Sequence, residues 1–115
     1  MLLPLLLLKV IRTENAITYE EGEILFNNLA EAIKSKNYVV IDFSGITILT
    51  AAFLSSSFGE LYTHFESDEI NNYIKVKNLR EDHNCLLEYV IMRTKEFKSN
   101  PKIFDEVINN IIYGD

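Results

Sequence analysis

The chain has 115 residues, 48% hydrophobic and 24% charged, which suits one globular domain with a single core and excludes a disordered composition. Its formal net charge of −6 argues against a nucleic-acid backbone as partner, since phosphate binding is driven by clustered Lys and Arg. The densest basic group, Lys95, Lys98 and Lys102, is interrupted by acidic residues and reads as a solvated helix end.

The opening run, Met1-Leu2-Leu3-Pro4-Leu5-Leu6-Leu7-Leu8-Lys9-Val10-Ile11, has no basic residue before it and no small-residue cleavage site after it, so it does not read as a signal peptide. It is also shorter than the roughly 20 apolar residues that span a bilayer. Residues 5–11 are predicted as the first strand, with Pro4 tolerated at the strand's beginning. From Thr18 the period becomes helical. Ile24, Leu25, Leu29, Ala32 and Ile33 recur at three- and four-residue spacing, and Glu20, Glu21 and Glu23 suit the positive end of the helix dipole. Asn37 ends that helix.

Tyr38-Val39-Val40-Ile41-Asp42-Phe43 is a β-branched and aromatic run that reads as a strand buried on both faces. Ser44-Gly45 breaks it, and Thr50 is placed to cap a helix over residues 51–65. On that helix Leu54, Phe58, Leu61, Tyr62 and Phe65 form the predicted core face. Ala52, Ser56, Gly59 and Thr63 form a second face of small residues, suited to close approach by a neighbouring helix or by a partner protein. Residues 67–72 read as a polar loop. Tyr73-Ile74-Lys75-Val76-Lys77 alternates as a half-exposed strand near a sheet edge. Residues 82–98 read as a helix with Leu86, Leu87, Val90, Ile91 and Phe97 inward. After Asn100-Pro101 a last helix carries Ile103, Phe104, Val107, Ile108, Ile111 and Ile112, a stripe that either completes the core or docks on another subunit. Strand–helix alternation gives an α/β layer architecture.

Few residues carry chemistry. The histidines are His64 and His83, and the single cysteine, Cys85, excludes an internal disulfide and suits a reducing cytosol. His83 and Cys85 are two apart on one helix and face different sides, so they do not pair as base and nucleophile. Cys85 reads as a small buried apolar residue. No Cys-x-x-Cys, His-x-x-x-His or glycine-rich phosphate loop supplies metal or nucleotide ligands. Asp42, at the end of a strand, lies where open α/β sheets place their sites. It either accepts backbone hydrogen bonds from the turn after it or acts as a phospho-acceptor or metal ligand.

Ile41-Asp42-Phe43-Ser44-Gly45-Ile46, followed by Ala52-Phe53-Leu54 and by Phe58-Gly59, resembles the STAS-like domain family of unknown function. That family is related to sulfate-transporter and anti-sigma-factor-antagonist domains. Arg12-Thr13-Glu14-Asn15-Ala16 resembles the family's Arg-x-x-Ala segment, and Val90-Ile91-Met92-Arg93 its late apolar-Arg helix. The resemblance implies a small STAS-like α/β fold, a short mixed β-sheet covered by helices, as a single domain over residues 1–115. It implies a non-enzymatic regulatory domain that needs no cofactor or metal. Such a domain presents a loop and a helix's first turn to a protein partner such as a histidine-kinase-like ATPase. On this chain that surface comprises Asp42, Ser44, Gly45, Thr47, Thr50, Ala52, Ser55, Ser56 and Gly59.

One departure stands out. Ala52 occupies the position where anti-sigma-factor antagonists carry a phosphorylated serine, with Thr50 and Ser55 the nearest hydroxyls. Ser55 and Ser56 also replace the acidic residues that the family often has after Phe-Leu. Only the binding surface therefore carries over. The expectation is a cytoplasmic interaction domain of bacterial or phage style, with a protein partner, no nucleic acid and no membrane, and with a homodimer open through the last stripe. A receiver-like phospho-acceptor or phosphotransfer domain using Asp42 is the alternative.

Overall fold

A computed structural model describes residues 2–99 of the chain. The expected helix over residues 103–112 lies outside the described residues. Strands β1 (Leu2–Leu6), β3 (Tyr38–Asp42) and β5 (Ile74–Lys77) form a sheet of order β1-β3-β5. Strands β2 (Asn15–Ala16) and β4 (Ile48–Leu49) form a separate two-stranded ribbon. All described pairs are parallel, where a mixed sheet was expected. Each step between neighbouring strands of the main sheet passes through helices, the connection that parallel pairing requires.

The Leu-rich start is divided differently from expectation. It forms β1 and then helix α1 (Leu7–Ile11), instead of one strand over residues 5–11. Leucine is a good helix former, and Leu7 and Ile11, four apart, are both buried on one helical face. Pro4 lies within β1 opposite Val40, on an edge strand that tolerates a missing N–H.

Helix α2 (Tyr19–Lys34) begins with a capping box. The Glu21 N–H donates to Thr18 Oγ1 at 3.1 Å, and the Thr18 N–H donates to Glu21 Oε1 at 3.0 Å. That backbone hydrogen bond from Thr18 is the chief reason the Glu21 carboxyl titrates below its ordinary value. Leu25, Leu29, Ala32 and Ile33 are buried as expected, whereas Ile24 faces solvent. The helix ends on Lys36 in the left-handed region at φ 58°, where the Asn37 N–H reaches the Ala32 carbonyl at 2.9 Å. This closure is usually made by glycine.

Strand β3 buries Val39 and Ile41 against the core, while Tyr38 is exposed and Val40 half-buried. One face, not both, is thus fully covered. Helix α3 spans residues 51–64, with its middle turn, Ser55–Gly59, in π geometry. Residues 67–72, expected as loop, belong to helix α4 (Ser67–Tyr73), which starts with the Glu66 N–H donating to Glu69 Oε1. Helix α5 (Glu81–Ser99) packs on α3 through Leu87 and Val90. The centre of the core is Leu7, Leu25, Leu29, Ile41, Phe53, Leu54 and Leu61, all fully buried.

Candidate functional site

The carboxyl edge of the sheet is where the chain's polar organisation converges. Asp42 ends β3, and its Oδ1 accepts from the Ser44 hydroxyl at 2.6 Å and the Ser44 N–H at 2.9 Å. Asn78, which follows β5 with φ at 59°, reaches across to donate to Asp42 Oδ1 and Ser44 Oγ, each at 3.0 Å. The Ile46 N–H donates to the Phe43 carbonyl at 3.1 Å, closing a turn in which Gly45 takes φ 83°. Only glycine adopts that angle without strain. Lys77 Nζ stands 3.9 Å from Asp42 Oδ2.

These contacts favour the charged carboxylate. The Ser44 hydroxyl, the Asn78 amide and the Ser44 N–H, in that order, lower Asp42 from the ordinary 3.8 to about 2, with Lys77 adding a smaller share. Asp42 therefore organises the turn, as one of the two sequence readings had it.

The loop then joins the β2–β4 ribbon. The Thr47 N–H donates to the Glu14 carbonyl at 2.8 Å, the Thr50 N–H to Ala16 at 3.1 Å, and Arg80 Nη1 to the Thr47 carbonyl at 3.3 Å. Thr50 holds two positions at once. Its hydroxyl donates to the Ile17 carbonyl at 2.6 Å and accepts from the Phe53 N–H at 3.2 Å, capping α3 as the sequence predicted.

Of the nine residues expected on a docking surface, Ser44, Gly45, Thr47, Ala52 and Ser55 are exposed, and Asp42 and Thr50 are half-buried on the same run of loop and first turn. Ser56 and Gly59 are buried and do not belong to an open surface. Ser56 lies against Gly22 of α2, and Gly59 faces Val90 and Thr94 of α5. Both lie in the π turn, and a different helix covers each, the close approach by neighbouring helices that was one of the two readings of the small face, while Ala52 and Thr63 stay exposed. The Ser56 and Ser57 hydroxyls donate back to the Phe53 carbonyl at 3.1 and 2.8 Å, which leaves both buried side chains satisfied.

Sequence reasoning missed the apolar residues beside this surface. Ile48 (45% exposed) lies on the ribbon, Ile17 (41%) directly follows β2 and takes the Thr50 hydroxyl's hydrogen bond on its carbonyl, and Tyr19 (49%) opens α2. Their signal was their phase: none belongs to the periodic core face of its neighbours. Two other expectations come out differently from each other. His83 is buried and Cys85 exposed, so they do face different sides of α5, but Cys85 is not the buried apolar residue expected. Among the described residues no cluster of His, Cys, Asp or Glu is suited to a metal ion. No helix among them is long and apolar enough to cross a membrane.

A small α/β layer of parallel strands with helices packed on it is consistent with a small STAS-like fold. The chain belongs to the STAS-like domain family of unknown function (DUF4325), whose model matches residues 21–84, more than half of the chain. The match runs from α2 to the start of α5; the resembling segments at residues 12–16 and 90–93 lie outside it. Searches of curated proteins and of solved structures gave no match.

Proposed function

We propose that this chain is a non-enzymatic regulatory domain that docks a protein partner, in the manner of an anti-sigma factor antagonist, through the 44–55 loop and first turn. The partner class that suits this reading is a histidine-kinase-like ATPase, and the setting a bacterial cytoplasm. The observation that carries it is the pairing of exposed apolar side chains, Ile17, Tyr19 and Ile48, with a loop held by a dense set of hydrogen bonds. Such a surface offers apolar area to a partner and loses little conformational freedom on binding. Ala52 at the first turn removes the hydroxyl that phosphorylation would need there, so the docking is constitutive as far as this position is concerned.

Ala52→Arg and Ile48→Asp test the proposal, since both positions are exposed. Each is expected to leave the melting temperature unchanged and to abolish capture of the partner that the wild-type domain retains from extracts of its own host. Retention of that partner by both variants would contradict it.

A second reading keeps Asp42 as a phosphoryl acceptor. What favours it is the position at the carboxyl end of the central strand. Incubation with acetyl phosphate and Mg²⁺ separates the two. An added phosphoryl mass that disappears in Asp42→Asn supports the second reading, and no added mass leaves the docking domain.

A further inference from the structure

Between α2 and α3 the surface holds a hollow of about 250 Å³, lined by Tyr19, Glu23, Phe26 and Asn27 of α2 and by Ser56 and Glu60 of α3. The α2 residues recur at three- and four-residue spacing and so share one helical face. Two carboxylates and two aromatic rings thus meet in one place, and among the described residues no lysine or arginine lines it. Glu23 is exposed and makes no ion pair among the described residues. Glu60 Oε2 stands 3.2 Å from His64 Nε2, and the His64 ring packs on Phe26 at 5.8 Å. The Ser56 hydroxyl already donates to the Ala52 and Phe53 carbonyls, so the carboxylates are the groups left to meet a ligand.

We propose that this hollow receives a basic side chain, an arginine above all, of the protein that docks on the domain. The proposal deepens the docking reading and rests on it, since the exposed Tyr19 belongs to both surfaces. Carboxylates attract a cation, and the face of a tyrosine or phenylalanine ring attracts it too. A planar guanidinium satisfies both at once, pairing with a carboxylate through two parallel N–H groups while stacking on a ring. The size agrees. The hollow falls below the roughly 300–1,000 Å³ that drug-sized ligands occupy and suits one long side chain. The formal net charge of −6 works in the same direction, because the field of the whole domain draws a basic partner surface toward it.

Titration of the ¹⁵N-labelled full chain with N-acetyl-arginine amide tests the chemistry without the partner. N-acetyl-citrulline amide, which keeps the shape and drops the charge, serves as control. Saturable shifts are expected at the amides of Tyr19, Glu23, Asn27 and Glu60 with the arginine compound alone. Glu23→Gln, at an exposed position, is expected to weaken that binding roughly two- to fivefold, the share of one exposed ion pair. No saturable shift, or an equal response to both amides, overturns the proposal and leaves the docking reading standing. In host cells, Glu23→Lys is expected to abolish the partner adduct formed by a photoreactive residue at position 52. An adduct that survives Glu23→Lys overturns this proposal alone. A wild-type domain that forms no adduct overturns the docking reading and this proposal with it.

Discussion

Ser56 occupies the space that any side chain at position 22 would need: a β-carbon on Gly22 would fall inside contact distance of the Ser56 Oγ and of the Phe53 carbonyl oxygen. Helices α2 and α3 approach this closely because Gly22 has no side chain, and the approach carries the inward-turned π segment. Gly22→Ala should therefore destabilise the domain by about 1–3 kcal/mol, as overpacking does. On an open helix face the same change would stabilise by improving helix propensity. Urea unfolding decides the sign, and a gain in stability would mean that the two helices are not in contact here.

The same contact fixes the outcome for Ser56→Arg. The side chain is fully buried, so the variant strands a charge in the core at a cost of several kcal/mol, a large share of the roughly 5–15 kcal/mol that a domain has. A collapsed melting temperature is expected. A normal melt would show that Ser56 faces outward after all.

How far the residues alone reveal this arrangement depends on how regular each element is. Helix α2 and strand β3 follow plain periodicity, and Thr50 caps its helix where its spacing indicates. The turn chemistry of Asp42 was one of two readings that the local sequence left open. The Leu-rich start was harder, because leucine suits helix and strand alike and only the burial of Leu7 and Ile11 on one face separates them. Helix α4 buries Ile70 alone, so it offers no stripe to detect. The small residues Ser56 and Gly59 left two readings open, a neighbouring helix or a partner protein, and only their contacts with α2 and α5 decide for the first.

Lys36 offers a test of helix closure. It holds φ 58° at the position after the α2 cap, a conformation that costs a residue with a β-carbon about 1–2 kcal/mol. Lys36→Gly relieves this but adds freedom to the unfolded chain, leaving an expected net gain of roughly 0.5–1 kcal/mol. Thermal melting should move up by a few degrees. A lowered midpoint would mean that the lysine side chain contributes more than its backbone costs.

Asp42 gives the domain a specific pH response. Its folded value of about 2 lies below the ordinary 3.8, so its stabilising contribution is fully present above 3.8 and is lost as pH falls from there toward 2. Asp42→Asn removes that slope. The difference in urea midpoint between wild type and variant should be constant at neutral pH and should shrink on acidification through this window. Parallel profiles for the two proteins would show that the Ser44 and Asn78 hydrogen bonds do not favour the charged form.

The central claim is that the exposed first turn of α3 meets a protein partner, and site-directed photo-crosslinking in living host cells addresses it most directly. A photoreactive residue at Ala52 is compared with one at Lys34, an exposed position at the far end of α2. The account predicts one discrete heterologous adduct from position 52 and none from position 34. No adduct from position 52, or the same adduct from both positions, would contradict it.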